Sequence, residues 1–190
     1  MGLVLPEEAE EKLLAYLALL TKWNRTYNLT AIRNEADGLT HHLLDSLAVM
    51  PFLEGTRSLA DVGSGAGLPG LPIAMARPDV WVTSIESNQK KAAFQRQVKI
   101  ELGLSNVSVH CGRVESMKGS FDGVISRAFA SLADFVHDAG HLSDCLFAMK
   151  GTWPAEELEK LPVGWRCSEG SALTIPGLDA QRHLLILKKS

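Results

Sequence analysis

The run Asp61-Val62-Gly63-Ser64-Gly65-Ala66-Gly67-Leu68-Pro69-Gly70-Leu71-Pro72 concentrates the residue types that could do chemistry. Glycines reach positive φ and let the backbone come close to a ligand. Leu59-Ala60 leads into the run and an apolar segment from Leu71 to Ala76 leads out, so it reads as strand, turn and helix. The free N–H groups at the start of that helix face whatever occupies the turn. Proline there costs little, because its missing N–H would have had no partner. The chemistry is therefore the binding of a nucleotide-type ligand, weighed against a glycine-rich turn that binds nothing.

Two ligand fingerprints overlap. Gly65-x-Gly67-x-x-Gly70 fits the dinucleotide pattern, with Glu86 at about the right distance (roughly 20 residues on) for a ribose-binding acid. Asp61-x-Gly63-x-Gly65-x-Gly67 fits instead the acid-plus-glycines turn of S-adenosylmethionine-dependent methyltransferases. An acid just before the first glycine suits a cationic cofactor and would repel a pyrophosphate.

The elements that must hold this turn alternate along the chain. A helix is expected from Pro6 to about Asn24, on the spacing of Leu13, Leu17 and Leu20, and a second from Thr40 to Val49, stopping at Pro51. After the turn come a helix to about Arg77, a strand Val80–Ile85 ending in Glu86, a helix Lys90–Leu102 and a strand Val107–His110. A strand Phe121–Ser126, a helix Leu132–Leu142, a strand Cys145–Met149 and a helix opening at Pro154–Leu158 follow. Trp165–Leu173 and Arg182–Leu187 read as a closing hairpin about Pro176-Gly177. The pattern implies an α/β fold: a mostly parallel seven-stranded sheet, helices on both faces and an antiparallel edge hairpin. Residues 1–54 form a helical layer and 55–190 the nucleotide-binding core of one domain.

In open parallel sheets, ligands lie beyond the carboxyl ends of the strands. That rule selects Asp61 and the glycines after the first strand, Glu86 after the second and Arg113-Val114-Glu115 after the third. It selects Ser126-Arg127-Ala128-Phe129 after the fourth and Lys150 after the fifth. Glu86 could bind two ribose hydroxyls or merely cap the next helix. Arg127 and Lys150 could pair with rim acids, but at neighbouring strand ends they favour an electropositive mouth. From Glu86 to Arg127 the chain carries Lys90, Lys91, Arg96, Lys99, Arg113, Lys118 and Arg127 against Glu86, Glu101, Glu115 and Asp122. Lys90, Lys91, Arg96 and Lys99 share one expected helix, ordinarily a solvated face. Together with Arg127 and Lys150 they are candidates to track nucleic-acid phosphates. Tyr27, Phe129 or Trp153 could stack on a base, though each is more often packing.

Other chemistries find little support. His41-His42 has no matching ligand set, and adjacent helix residues diverge, so no metal is expected. His42, Asp45 and Ser46 read as a helix face near a site, or as its support. No nucleophile elbow occurs. The 190 residues carry a net charge of −3, so a nucleic-acid partner requires a local basic face. No apolar run reaches the ~20 residues of a membrane span, and the acidic N-terminal segment does not resemble a signal peptide. Cys111, Cys145 and Cys167 are scattered, as in a cytoplasmic protein with reduced thiols.

Four blocks together resemble a known family: Tyr27-Asn28-Leu29-Thr30-Ala31-Ile32-Arg33, His42-Leu43-Leu44-Asp45-Ser46-Leu47, Asp61 to Gly70, and Phe121-Asp122-Gly123-Val124-Ile125-Ser126-Arg127-Ala128-Phe129. They look like the signature blocks of the RsmG family of bacterial methyltransferases, once called glucose-inhibited division protein B. The resemblance runs from about residue 10 to the C-terminus and favours the methyl donor over a dinucleotide. It implies a class I methyltransferase with a Rossmann-like core, using S-adenosylmethionine to methylate guanine N7 in the 16S RNA of the small ribosomal subunit. The resemblance implies cofactor positions at Gly63, Leu68, Val114, Glu115 and Arg127, to which the turn and strand-end readings add Asp61, Gly65, Gly67 and Glu86. Because guanine N7 carries no proton to remove, Arg127 is expected to position the reactants. Lys150 matches a strand-end lysine of the family on the RNA side, and the charge inventory adds Lys90, Lys91 and Arg96 as RNA-facing candidates. A monomer acting in the cytoplasm, without metal or membrane, completes the expectation. Two departures stand out: Glu86-Ser87 where the family commonly has aspartate and serine, and Lys90-Lys91 where a Lys-Arg pair is frequent, losing a bidentate fork. A methyltransferase for protein or small-molecule acceptors, an NAD-dependent oxidoreductase and a non-catalytic ribosome-assembly RNA binder are the competing readings.

Overall fold

The computed structural model describes residues 2–127 and 129–190. Seven strands form one sheet: β1 (Ser58–Val62), β2 (Trp81–Glu86), β3 (Val107–Cys111), β4 (Gly123–Ser126), β5 (Cys145–Lys150), β6 (Trp165–Ala172) and β7 (His183–Lys189). Their order is β3-β2-β1-β4-β5-β7-β6. The first five are mutually parallel, and β7 and β6 close the edge antiparallel. Strand order reverses between β1 and β4, where an α/β sheet opens a crevice at its carboxyl edge. Asp61 stands opposite Ser84 on β2 and Ile125 on β4, placing the glycine turn directly at that crevice. The sheet carries the expected α/β topology.

The helices are α1 (Ala9–Tyr27), α2 (Glu35–Gly38), α3 (Asp45–Leu47), α4 (Gly70–Ala76), α5 (Gln89–Glu101), α6 (Leu132–Ala139) and α7 (Ala155–Leu158). One core joins Leu13, Tyr16 and Leu20 of α1 to Leu71 and Ile73 of α4, Phe94 of α5 and Ile125 of β4. A second, on the opposite face, packs Leu132, Phe135 and Val136 of α6 against Val124, Leu146 and Leu185. At the amino edge, Asp122 accepts the N–H groups of Arg57 and Ser58 at 2.9 and 2.8 Å, and these bonds hold its carboxyl below the usual range. That pins the starts of β1 and β4 together, far from the crevice.

The N-terminal layer departs from expectation in two places. α1 runs past Asn24 to Tyr27 and ends on Asn28 in the left-handed region, φ 51°. Asn24 is buried inside the helix, where its side chain accepts the Thr30 N–H and donates to the Ile32 carbonyl. The polar residue that read as a stop is thus the anchor of the following loop. The second helix starts at Glu35, not at Thr40, and winds through a π-helical stretch, Leu39–Leu44, before α3. Asn34 accepts the Asp37 N–H at 2.7 Å and caps it, while the Thr40 hydroxyl bonds back to the Ala36 carbonyl. Pro51 sits within a 3-10 turn, Met50–Leu53.

Candidate active site

The glycine turn is built so that few other residues fit it. Gly63, Gly65 and Gly67 all have positive φ, at 66°, 58° and 88°. A Cβ on Gly70 would lie 2.6 Å from Asp61 Oδ2, an overlap the buried carboxylate has no room to relieve. Asp61 is wholly buried and accepts the Gly70 N–H through Oδ2 at 2.8 Å, bracing the head of α4. Its Oδ1 has no hydrogen-bond partner among the described residues. Burial pushes its carboxyl up to about 7; the Gly70 N–H and the Arg127 charge oppose this, and Glu86 adds to it.

Glu86 at the end of β2 is also occupied. One oxygen accepts the Gly65 N–H and the other the Asn88 N–H, each at 2.7 Å. It staples the turn to the start of α5, so the expected ribose pairing would have to share oxygens already engaged. Asn88 then caps α5 by accepting the N–H groups of Lys90 and Lys91. Two supports were missed by sequence reasoning. Gln95, fully buried, donates to Ser64 Oγ at 2.8 Å and to the Gly65 carbonyl at 2.7 Å. Tyr16 donates to the Ala66 carbonyl at 2.9 Å, and burial raises its hydroxyl far above the ordinary value. The signal for Gln95 was there: a polar residue at helical spacing between Ala92 and Val98, on a buried face. Tyr16 gave no such signal beside the Leu13, Leu17 and Leu20 stripe.

Beside the turn lies a cleft of about 450 Å³ at the ends of β1, β2 and β3. Gly63, Ser87, Val114, Glu115 and Phe129 contribute to its walls. Of the expected cofactor positions, Gly63, Val114 and Glu115 therefore meet at one opening. Leu68 does not: its side chain is buried in the main core, leaving only its backbone to a ligand. Phe129 packs against Phe135, ring centroids 4.9 Å apart, as a wall of this cleft. Its neighbour Ala128, part of the fourth signature block, lies outside the described residues.

Arg127 stands where β4 ends and reaches across to the N-terminal layer. It donates to the His41 carbonyl in the π-helical turn and to Asp45 Oδ2, both at 3.1 Å. The His42–Asp45 face thus supports the site, as one of the sequence readings had it. His42 is buried and bonds Thr30 Oγ1 through Nε2 at 3.0 Å. Burial and then the Arg127 charge push it down to about 4, so it is neutral. Among the described residues no group of three His, Cys, Asp or Glu could hold a metal ion.

The basic candidates divide. Lys90 and Arg96 are exposed on α5 and Lys91 is half-buried. Among the described residues no carboxylate pairs with them. Lys150 is different. Only 13% of its side chain is exposed, and it donates to Glu157 at 2.8 Å and to the Phe129 and Ala130 carbonyls at 3.4 Å. Glu157 also accepts the Leu132 N–H at 2.7 Å. Lys150 thus braces the loop after Arg127 with its charge paired, unlike Lys90 and Arg96. Tyr27 packs on Trp23, while Trp153 sits edge-on to His183. No helix among the described residues is long and apolar enough to cross a membrane.

Known proteins resemble this chain along its full length. Residues 9–185 match the family described as GidB, rRNA small subunit methyltransferase G. A ribosomal RNA small subunit methyltransferase G of Azoarcus sp. (strain BH72) is 52% identical, covering 100% of this chain and 92% of the relative. That of Aromatoleum aromaticum is 53% identical over 100% of this chain and 94% of its own. Among solved structures, a SAM-dependent methyltransferase from Aquifex aeolicus has the same fold, with a TM-score of 0.59 at 16% identity, covering 80% of this chain and 93% of that one.

Proposed function

This chain belongs to the rRNA small subunit methyltransferase G family, and from that premise we propose how its residues carry out the reaction. It is an S-adenosylmethionine-dependent methyltransferase of ribosomal RNA. The finer reading is that the acceptor atom is N7 of a guanine in the 16S RNA, methylated in the cytoplasm.

The residues fit the cofactor. A cleft of about 450 Å³ is of the size that small-ligand sites occupy. The unpartnered, buried Asp61 Oδ1 and the Glu86 carboxylate favour a cationic ligand at the turn. Gly63, Val114 and Glu115 would line the adenosine side, with the backbone of Gly65, Gly67 and Leu68 at the methionine side. When bound, S-adenosylmethionine supplies an electrophilic methyl group on a positively charged sulfur.

Guanine N7 has an in-plane lone pair and no proton, so nothing must be removed before transfer. The observation that carries this reading is that the carboxyl held near neutrality, Asp61, is wholly buried behind the turn and bonded to the Gly70 N–H. Arg113, Glu115 and Asp138 line the cleft, Glu115 beside Arg113 and Asp138 bonded to His137, while Arg127 beyond it is always charged and Asp45 is shared between two guanidinium partners. His42 is neutral but turned to Thr30. What the chain contributes is placement: holding reactants in line is worth up to about 7–11 kcal/mol. Arg127, fixed by His41 and Asp45, positions the acceptor against the cofactor turn. Single-turnover methyl transfer at saturating cofactor and subunit tests it. The rate should stay flat from about pH 6.5 to 9. A rate rising tenfold per pH unit would mean that a proton must leave first, and would contradict an N7 acceptor.

A further inference from the structure

Asp45 is buried at 1% exposure and serves two arginines, not one. Its Oδ2 accepts from Arg127 at 3.1 Å and its Oδ1 from Arg182 Nε at 3.0 Å. Arg182 immediately precedes β7, whose first residue, His183, pairs with Lys150 at the end of β5. Arg182 therefore stands on the same carboxyl edge of the sheet as Arg127. The cofactor cleft occupies the β1–β2–β3 half of that edge, and the two arginines mark the β4–β5–β7 half.

The charges here do not balance. One carboxylate faces two guanidiniums, and His42 alongside is neutral. Lys150 and Glu157 cancel each other nearby. Asp179 lies on the Arg182 loop, but among the described residues it makes no ion pair with Arg182. About a quarter of each arginine side chain remains exposed, 29% for Arg127 and 24% for Arg182. Arg182 spends Nε on Asp45 and Nη1 on the Gln181 carbonyl, which leaves Nη2 without an acceptor among the described residues. A fixed guanidinium with an open face and a surplus charge is suited to a phosphate oxygen.

We propose that Arg182, held in place by Asp45, binds a backbone phosphate of the acceptor RNA beside the target base. The inference rests on rRNA being the acceptor and adds a contact that the glycine turn and Arg127 do not supply. A merely structural Arg182 would tie β7 to α3 and touch no RNA. Removing it leaves Asp45 still paired with Arg127, so Arg182→Ala should fold, and Arg182→Lys retains the charge without the fork.

The test is equilibrium binding of unmethylated small ribosomal subunits to wild type and both variants, with S-adenosylhomocysteine present, across about 50–300 mM salt. The expected result for Arg182→Ala is roughly tenfold weaker subunit binding, with the slope of log Kd against log salt reduced by about one. Arg182→Lys should restore most of the slope, while S-adenosylhomocysteine affinity changes less than about twofold. An unchanged slope, or loss of cofactor affinity in parallel with subunit affinity, would overturn the proposal in favour of a structural tie. Wild-type methyl transfer to the same subunits is measured beside it. If wild type transfers nothing, the functional reading fails, and the salt slope still reports on Arg182.

Discussion

Replacing Asp61 by Asn removes a charge that the folded chain holds at a cost. Asp61 is wholly buried, and burial lifts its carboxyl from the ordinary 3.8 to about 7. Between those values the folded protein keeps a proton that the unfolded chain has released. The associated stability is fully present below 3.8, is lost as pH rises towards about 7, and then levels off. The interval corresponds to about 4 kcal/mol. His42 acts in the opposite sense, because its folded value is pushed down to about 4. Its contribution is present above 6.5 and lost as pH falls, which flattens the wild-type profile in between. The difference between wild type and Asp61→Asn isolates the carboxyl. Asn keeps an oxygen for the Gly70 N–H, so the head of α4 retains its brace. In urea unfolding, Asp61→Asn should exceed wild type by roughly 4 kcal/mol at pH 8, with the advantage shrinking by about 2–3 kcal/mol at pH 5. Calorimetry should show the complementary cost: wild type binds S-adenosylhomocysteine more tightly as pH rises through about 7, and the variant binds weakly at every pH. A stability difference independent of pH would refute the reasoning.

Two further substitutions probe the supports. Tyr16→Phe strands the Ala66 carbonyl of the turn and should cost about 1–3 kcal/mol in urea unfolding, with several-fold weaker S-adenosylhomocysteine binding by calorimetry. Unchanged values for both would mean that the turn does not lean on α1. Lys150→Met breaks the pair with Glu157 and should destabilise by about 1–3 kcal/mol, yet leave the salt dependence of subunit binding unaltered. A reduced salt slope would keep Lys150 in the RNA-facing set.

Much of the fold was legible because local signals and global topology agree. Asp61 to Pro72 carries its own turn chemistry, and the alternating strands and helices constrain the sheet to few arrangements. The legible part of the site is what a strand end delivers by rule, including Gly63, Val114 and Arg127. What was hidden is what folding brings together from afar. Asp45 meets Arg127 and Arg182 across most of the chain, and Gln95 reaches back to Ser64 from the next helix but one strand away. Lys150 read as a free cation because Glu157, seven residues on, lies beyond the turn that returns it. The π-helical winding at Leu39–Leu44 left no local mark either, since Thr40 is as good a cap by type as Asn34.

The proposed reaction moves a methyl group from this turn to one nitrogen of one RNA base. Unmethylated small subunits incubated with the protein and methyl-labelled S-adenosylmethionine, then digested to nucleosides and mapped, test that directly. The label should appear as 7-methylguanosine at a single 16S RNA position. Label in ribosomal protein, on another base or at another atom of guanine would contradict it.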